Sequence, residues 1–187
     1  MLITIREIID IIIMTAAVGY IFVDIFKLTK HHYGFDWDSF FFACIITAPA
    51  LIFHELAHKF VALGFGLEAT FHAAYGWLGI GLAMKLLNTG FIFFVPGYVS
   101  ITCAQMPCMI QPLHSALVAF AGPFLNLVLF AVSKTILSTN KKLSRRTMAV
   151  LIMTQRINLF LFIFNMLPIP GFDGLKVYSG LYSFFSP

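Results

Sequence analysis

Long apolar runs separated by short polar links set the plan of this chain. A membrane-crossing helix needs about 20 mostly apolar residues. Four runs approach or exceed that length, at about 8–26, 39–63, 114–137 and 147–167. The pattern predicts an all-α polytopic membrane protein with about four transmembrane helices. Pro49 lies inside the second run, where a missing N–H bends or loosens a helix. The stretch 66–102 is different. Glycines at 76, 79, 81, 90 and 97, with Pro96, cut it into short runs rich in aromatic and β-branched residues. It reads as strands and turns, or a re-entrant segment, between the second and third spans. Such irregular backbone is tolerated at membrane depth only where protein buries it or it lines a watery cavity. A helical span at about 86–101 is the other reading of this region.

Composition agrees with the runs. The 187 residues are 60% hydrophobic and 11% charged, against about 25% charged in soluble domains. A single membrane-embedded domain over 1–187 is expected, with the lipid bilayer as its surroundings. The net charge of +4 comes largely from Lys141, Lys142, Arg145 and Arg146, a loop suited to lipid headgroups. No stripe of basic residues interleaved with stacking aromatics is present, so a nucleic-acid partner is not expected. Cys44, Cys103 and Cys108 form no CxxC pair and suit apolar packing. The first run carries Asp10 and Asp24 and has no small-residue cleavage site, so it reads as a retained span rather than a signal peptide.

One apolar run contains chemistry. His54-Glu55-Leu56-Ala57-His58 sits inside the second predicted helix. A charge at mid-bilayer costs roughly 2.5–3.5 kcal/mol on insertion scales, so such residues persist mainly where they act. Residues four apart share a helix face, so both imidazoles can bind one zinc ion, with Glu55 placed to take a proton from water at the open position. A catalytic zinc usually has three protein ligands. After His58 the acidic residues are Glu68 and Asp173. Asp173 is favoured, because Pro168 and Pro170 break the helix before it and Gly174 lets the backbone turn closely, which frees its carboxylate from a fixed helix face. Glu68, His72 and His114 are the alternatives. Asn126, Gln155, Arg156, Asn158 and Asn165 either line a water path or bond between helices. Arg156 has Asp10 and Asp24 as candidate partners, or reaches toward the surface.

Three elements occur in order across residues 54–174: HExxH, then Ala121-Gly122-Pro123-Phe124-Leu125-Asn126, then Asn165-Met166-Leu167-Pro168-Ile169-Pro170-Gly171-Phe172-Asp173-Gly174. Together they resemble the site-2 protease family of intramembrane zinc metalloproteases, in a minimal form without PDZ-like or CBS-like domains. Phe172 departs from the Leu more usual before the Asp-Gly pair. The resemblance implies that His54, His58 and Asp173 hold one zinc ion and that Glu55 is the catalytic acid/base. It also implies that Asn126 helps position the substrate carbonyl or its oxyanion. The implied substrate is a transmembrane protein, cut in or near its spanning segment, and the implied location is a multi-pass place in a prokaryotic cell membrane. A membrane-associated β element after the HExxH helix agrees with 66–102.

Two expectations conflict. The family places the zinc toward the cytosol, which puts the loop of Lys141–Arg146 outside, whereas the positive-inside rule places that loop inside. A non-catalytic membrane zinc-binding scaffold is the rival function, and Glu55 argues against it, since a structural zinc needs no base. The sequence sets no oligomeric state.

Overall fold

The computed structural model describes residues 2–26, 34–90, 95–102, 110–140 and 142–186. The fold is mostly helical. The order is α1 (Ile5–Phe22), α2 (Trp37–Gly64), β1 (Glu68–Ala73), α3 (Tyr75–Leu86), β2 (Gly97–Thr102), α4 (Pro112–Thr139), α5 (Arg145–Asn165) and α6 (Asp173–Phe185). Among the described residues, α2, α4 and α5 are long and apolar enough to cross a membrane. The fourth expected span, α1, has 18 residues and carries Arg6, Glu7 and Asp10 in its first two turns. Cys103 and Cys108, and part of the apolar run after Gly90, lie outside the described residues.

The chain divides into two compact units, one of residues 1–52 with 71–98 and the other of residues 53–70 with 99–187. In the first, α1 begins at a reciprocal cap: the Glu7 backbone N–H donates to Thr4 Oγ1, and the Thr4 backbone N–H donates to Glu7 Oε2 at 2.7 Å. Glu7 and Asp10 are buried, which needs a physical reason in so apolar a chain. They accept from strand backbone: Phe71 N–H donates to Glu7 Oε1 at 2.8 Å, and Ala73 N–H to Asp10 Oδ2 at 3.2 Å. Tyr75 donates to Asp10 Oδ1 at 2.5 Å. The far end of the same helix is tied by Lys85 on α3, which bonds Asp24 Oδ2 at 3.0 Å and the Tyr20 carbonyl at 2.5 Å. Asp10 is thus held by β1 and Tyr75, and Asp24 by Lys85; Arg156 is exposed on α5.

Helix α3 occupies part of the segment that the glycines suggested was strand and turn. Gly76, Gly79 and Gly81 each weaken a helix by about 1 kcal/mol relative to Ala. Packing on α1 and the Lys85 anchor offset that loss. A span over 86–101 is also not what forms: α3 ends at Leu86 and Gly97–Thr102 is strand. Strands β1 and β2 make a two-stranded sheet. Ala74 N–H donates to the Pro96 carbonyl, Ser100 Oγ to the Thr70 carbonyl, and Thr102 faces Glu68. This antiparallel register turns the even-numbered residues of each strand toward the other strand and leaves odd-numbered N–H groups on the two outer edges.

In the second unit, α4 packs against α5 and α6. Ala62, Ala69 and Val118 form a buried cluster, with Val99 and Ile101 of β2 against it. Helix α6 follows directly from the Pro-Gly turn and is an addition to the expected spans. Gly180 lets it approach α4, since a Cβ there would come within 2.6 Å of the Pro112 carbonyl oxygen.

Candidate metal centre

The C-terminal half of α2 supplies His54 and His58, both buried on one face. The third side chain comes from the first residue of α6. Its position depends on the turn before it. Gly171 has φ of +95°, a left-handed conformation that other residues rarely adopt. Gly174 sits against the Met166 carbonyl, where a Cβ would lie 2.5 Å from that oxygen. The turn thereby folds back tightly enough to bring Asp173 to the histidines.

The three donor atoms form a nearly equilateral triangle. His54 Nε2 lies 3.1 Å from Asp173 Oδ2, His58 Nε2 lies 3.2 Å from the same oxygen, and the two nitrogens are 3.1 Å apart. Regular tetrahedral zinc, with bonds of about 2.1 Å, holds its ligands about 3.4 Å from one another. The donor spacing is therefore close to that of three corners of such a site.

Hydrogen bonding on the other side of each ring decides which nitrogen carries the proton. His58 Nδ1 faces the Val118 carbonyl at 2.7 Å, and a carbonyl can only accept. His54 Nδ1 faces Asn126 Oδ1 at 2.5 Å. In the neutral rings Nδ1 is the donor and Nε2 presents a bare lone pair. Two lone pairs and an anionic oxygen thus converge on one point, an arrangement suited to a cation. Room for one exists because α4 passes with a glycine. A Cβ on Gly122 would fall on His58 Nε2 and within 2.7 Å of His54 Nε2. These residues fit a zinc ion.

Glu55 is half-buried one position along α2, within electrostatic reach of both imidazoles, Asp173 and Lys176. Asn126 is fully buried behind His54. The alternative ligands lie elsewhere. Glu68 is exposed with its carboxylate toward Thr102, His114 stacks on Phe65 at 4.2 Å, and His72 packs on Tyr98 at 5.4 Å. Asn165 donates to the Leu161 carbonyl of its own helix.

Over 172 residues the chain is 37% identical to a Methanocaldococcus jannaschii protein named "Putative zinc metalloprotease MJ0611", a match covering 92% of this chain and 83% of that one. The chain belongs to a family of zinc metalloproteases. No protein-family model and no solved structure matches it. Within a metalloprotease, the convergence of His54, His58 and Asp173 has a direct use, as the group that could hold the metal.

Three contributors to the site escape a reading of the sequence alone. The Val118 carbonyl is backbone and leaves no side-chain signal. The role of Gly122 becomes visible only when α4 is set against α2, although its place in the Ala-Gly-Pro element is a pointer. Lys176 lies one turn along α6 from Asp173, a spacing that marks it as a neighbour of the site once Asp173 is chosen.

Proposed function

We propose that the protein is an intramembrane zinc endopeptidase of the site-2 type, with α1, α2, α4 and α5 crossing the bilayer. Its substrate would be the spanning segment of another membrane protein. The observation that carries the reading is the convergence of two imidazole lone pairs and one carboxylate on a point beside Gly122, with the imidazoles and Gly122 on helices apolar enough for a membrane. When bound, zinc supplies Lewis-acid polarisation of a carbonyl and lowers the pKa of water in its sphere.

The chain's own residues do the rest. His54, His58 and Asp173 fix the metal's position, each held by a partner or by the Pro-Gly turn. Glu55 takes a proton from the attacking water. Water adds to the carbonyl carbon, forming the new C–O bond; Glu55 then returns that proton to the nitrogen, and the peptide C–N bond breaks as the carbonyl re-forms. Asn126 is assigned by the resemblance to the substrate carbonyl, while its bonds in the fold direct it to His54.

A transmembrane helix hides its carbonyls, so the substrate must unwind before it is cut. The sheet offers the unwound peptide a place. Carboxylates of α1 already occupy the outer edge of β1, at Phe71 and Ala73. The edge proposed for the substrate is therefore the outer edge of β2, through the backbone of Val99 and Ile101.

The test is Glu55→Gln. It should keep the metal and lower cleavage of a detergent-solubilised membrane substrate by about 10²- to 10⁴-fold, the usual contribution of a general base. Cleavage at the wild-type rate would rule out the assignment.

A further inference from the structure

The direction of the hydrogen bonds that run from Thr154 to His54 can be read from one fixed point. Thr154 presents a backbone carbonyl, which only accepts. Asn158, four residues on in α5, lies 2.8 Å from it, so the atom facing Thr154 is the Nδ2 donor. Asn158 Oδ1 then faces α4, where it accepts from Asn126 Nδ2 at 2.8 Å. That contact turns Asn126 Oδ1 toward His54, and an amide oxygen accepts from Nδ1–H at 2.5 Å. Both asparagines are fully buried. A reversed Asn158 would oppose two carbonyl oxygens, so the order is enforced rather than chosen.

We infer that Asn158 is a positioning residue for the metal centre, acting through Asn126 to fix the tautomer and ring angle of His54. It touches neither metal nor substrate. Helix α5 contributes no ligand, yet through this relay it sets which nitrogen of His54 offers its lone pair. The inference rests on the zinc reading above, since it concerns how a ligand is held. It goes beyond that reading by giving α5 a part in metal affinity. It also moves Asn126 from the substrate's side of the site to the far side of His54. Partners that orient a metal-binding histidine commonly govern affinity by 10- to 100-fold.

The experiment compares purified wild type, Asn158→Leu and Asn158→Asp. Zinc affinity is measured by chelator competition, geometry by the visible absorption of the Co²⁺-loaded forms, and folding by thermal unfolding monitored by circular dichroism. Leu matches the volume and removes both polar ends. Asp in its neutral form offers the same acceptor to Asn126 and the same donor to Thr154. The expected result is zinc binding weakened about 10- to 100-fold in Asn158→Leu, with an altered Co²⁺ spectrum, and largely restored in Asn158→Asp. If folded Asn158→Leu binds zinc as wild type does, with an unchanged Co²⁺ spectrum, the inference is overturned and the zinc reading stands. If wild type itself binds neither ion, the zinc reading fails first.

Discussion

At the scale of single residues, the site depends as much on what is missing as on what is present. Gly122 has no side chain where one would displace the two Nε2 atoms. Gly122→Ala should therefore leave α4 helical, since Ala is the better helix former by about 1 kcal/mol. It should nevertheless weaken zinc binding more than 10-fold, an outcome in keeping with loss of ligand geometry. Zinc content after dialysis checks this, and full occupancy in the variant would contradict the geometry. The histidine pair was legible in the sequence because i, i+4 spacing is a local property of helices. Asp173 was legible for a different reason: few acidic residues follow His58, and prolines and glycines release one of them. The Asn126–Asn158 contact was not legible, because a polar residue in an apolar helix looks the same whether it faces a ligand or a neighbouring helix.

Elements follow the same division between local and distant causes. Runs of apolar residues gave α2, α4 and α5 to within a few residues, since length and hydropathy are properties of the segment alone. Helix α3 runs against the strand-and-turn expectation because glycines lower helix propensity, while the contacts that stabilise it come from α1, some 60 residues away in sequence. The buried Glu7 and Asp10 were equally opaque; their partners are backbone N–H groups of β1. These carboxylates have a consequence for recognition, because they leave the outer edge of β2 as the one proposed for a peptide. Ile101→Pro removes an N–H from that edge without touching the β1 ladder. It should reduce cleavage efficiency by up to about 10-fold, the loss of one hydrogen bond, while zinc content stays at the wild-type level. Unchanged kcat/KM would remove β2 from the account of substrate binding.

For the whole molecule, the helices give the proposed site a position along the bilayer normal. Gly122 is ten residues from the start of α4 and 17 from its end, or about 15 Å and about 26 Å at the rise of an α-helix. The site thus lies nearer the end of α4 that begins at Pro112, and the basic loop after Thr139 lies at the opposite end. If the zinc faces the cytosol, as the resemblance implies, that loop is outside despite its charge. Asn140→Cys in a background lacking the native cysteines should then react with an impermeant maleimide in intact cells. Labelling only after lysis would reverse the orientation.

The most direct test of the central claim is the zinc stoichiometry of the purified protein and of Asp173→Ala, by mass spectrometry of the metal. Wild type should carry about one zinc per chain, and the variant, left with two of three protein ligands, should lose it on dialysis against a chelator. Equal retention of zinc by Asp173→Ala and wild type would contradict the account.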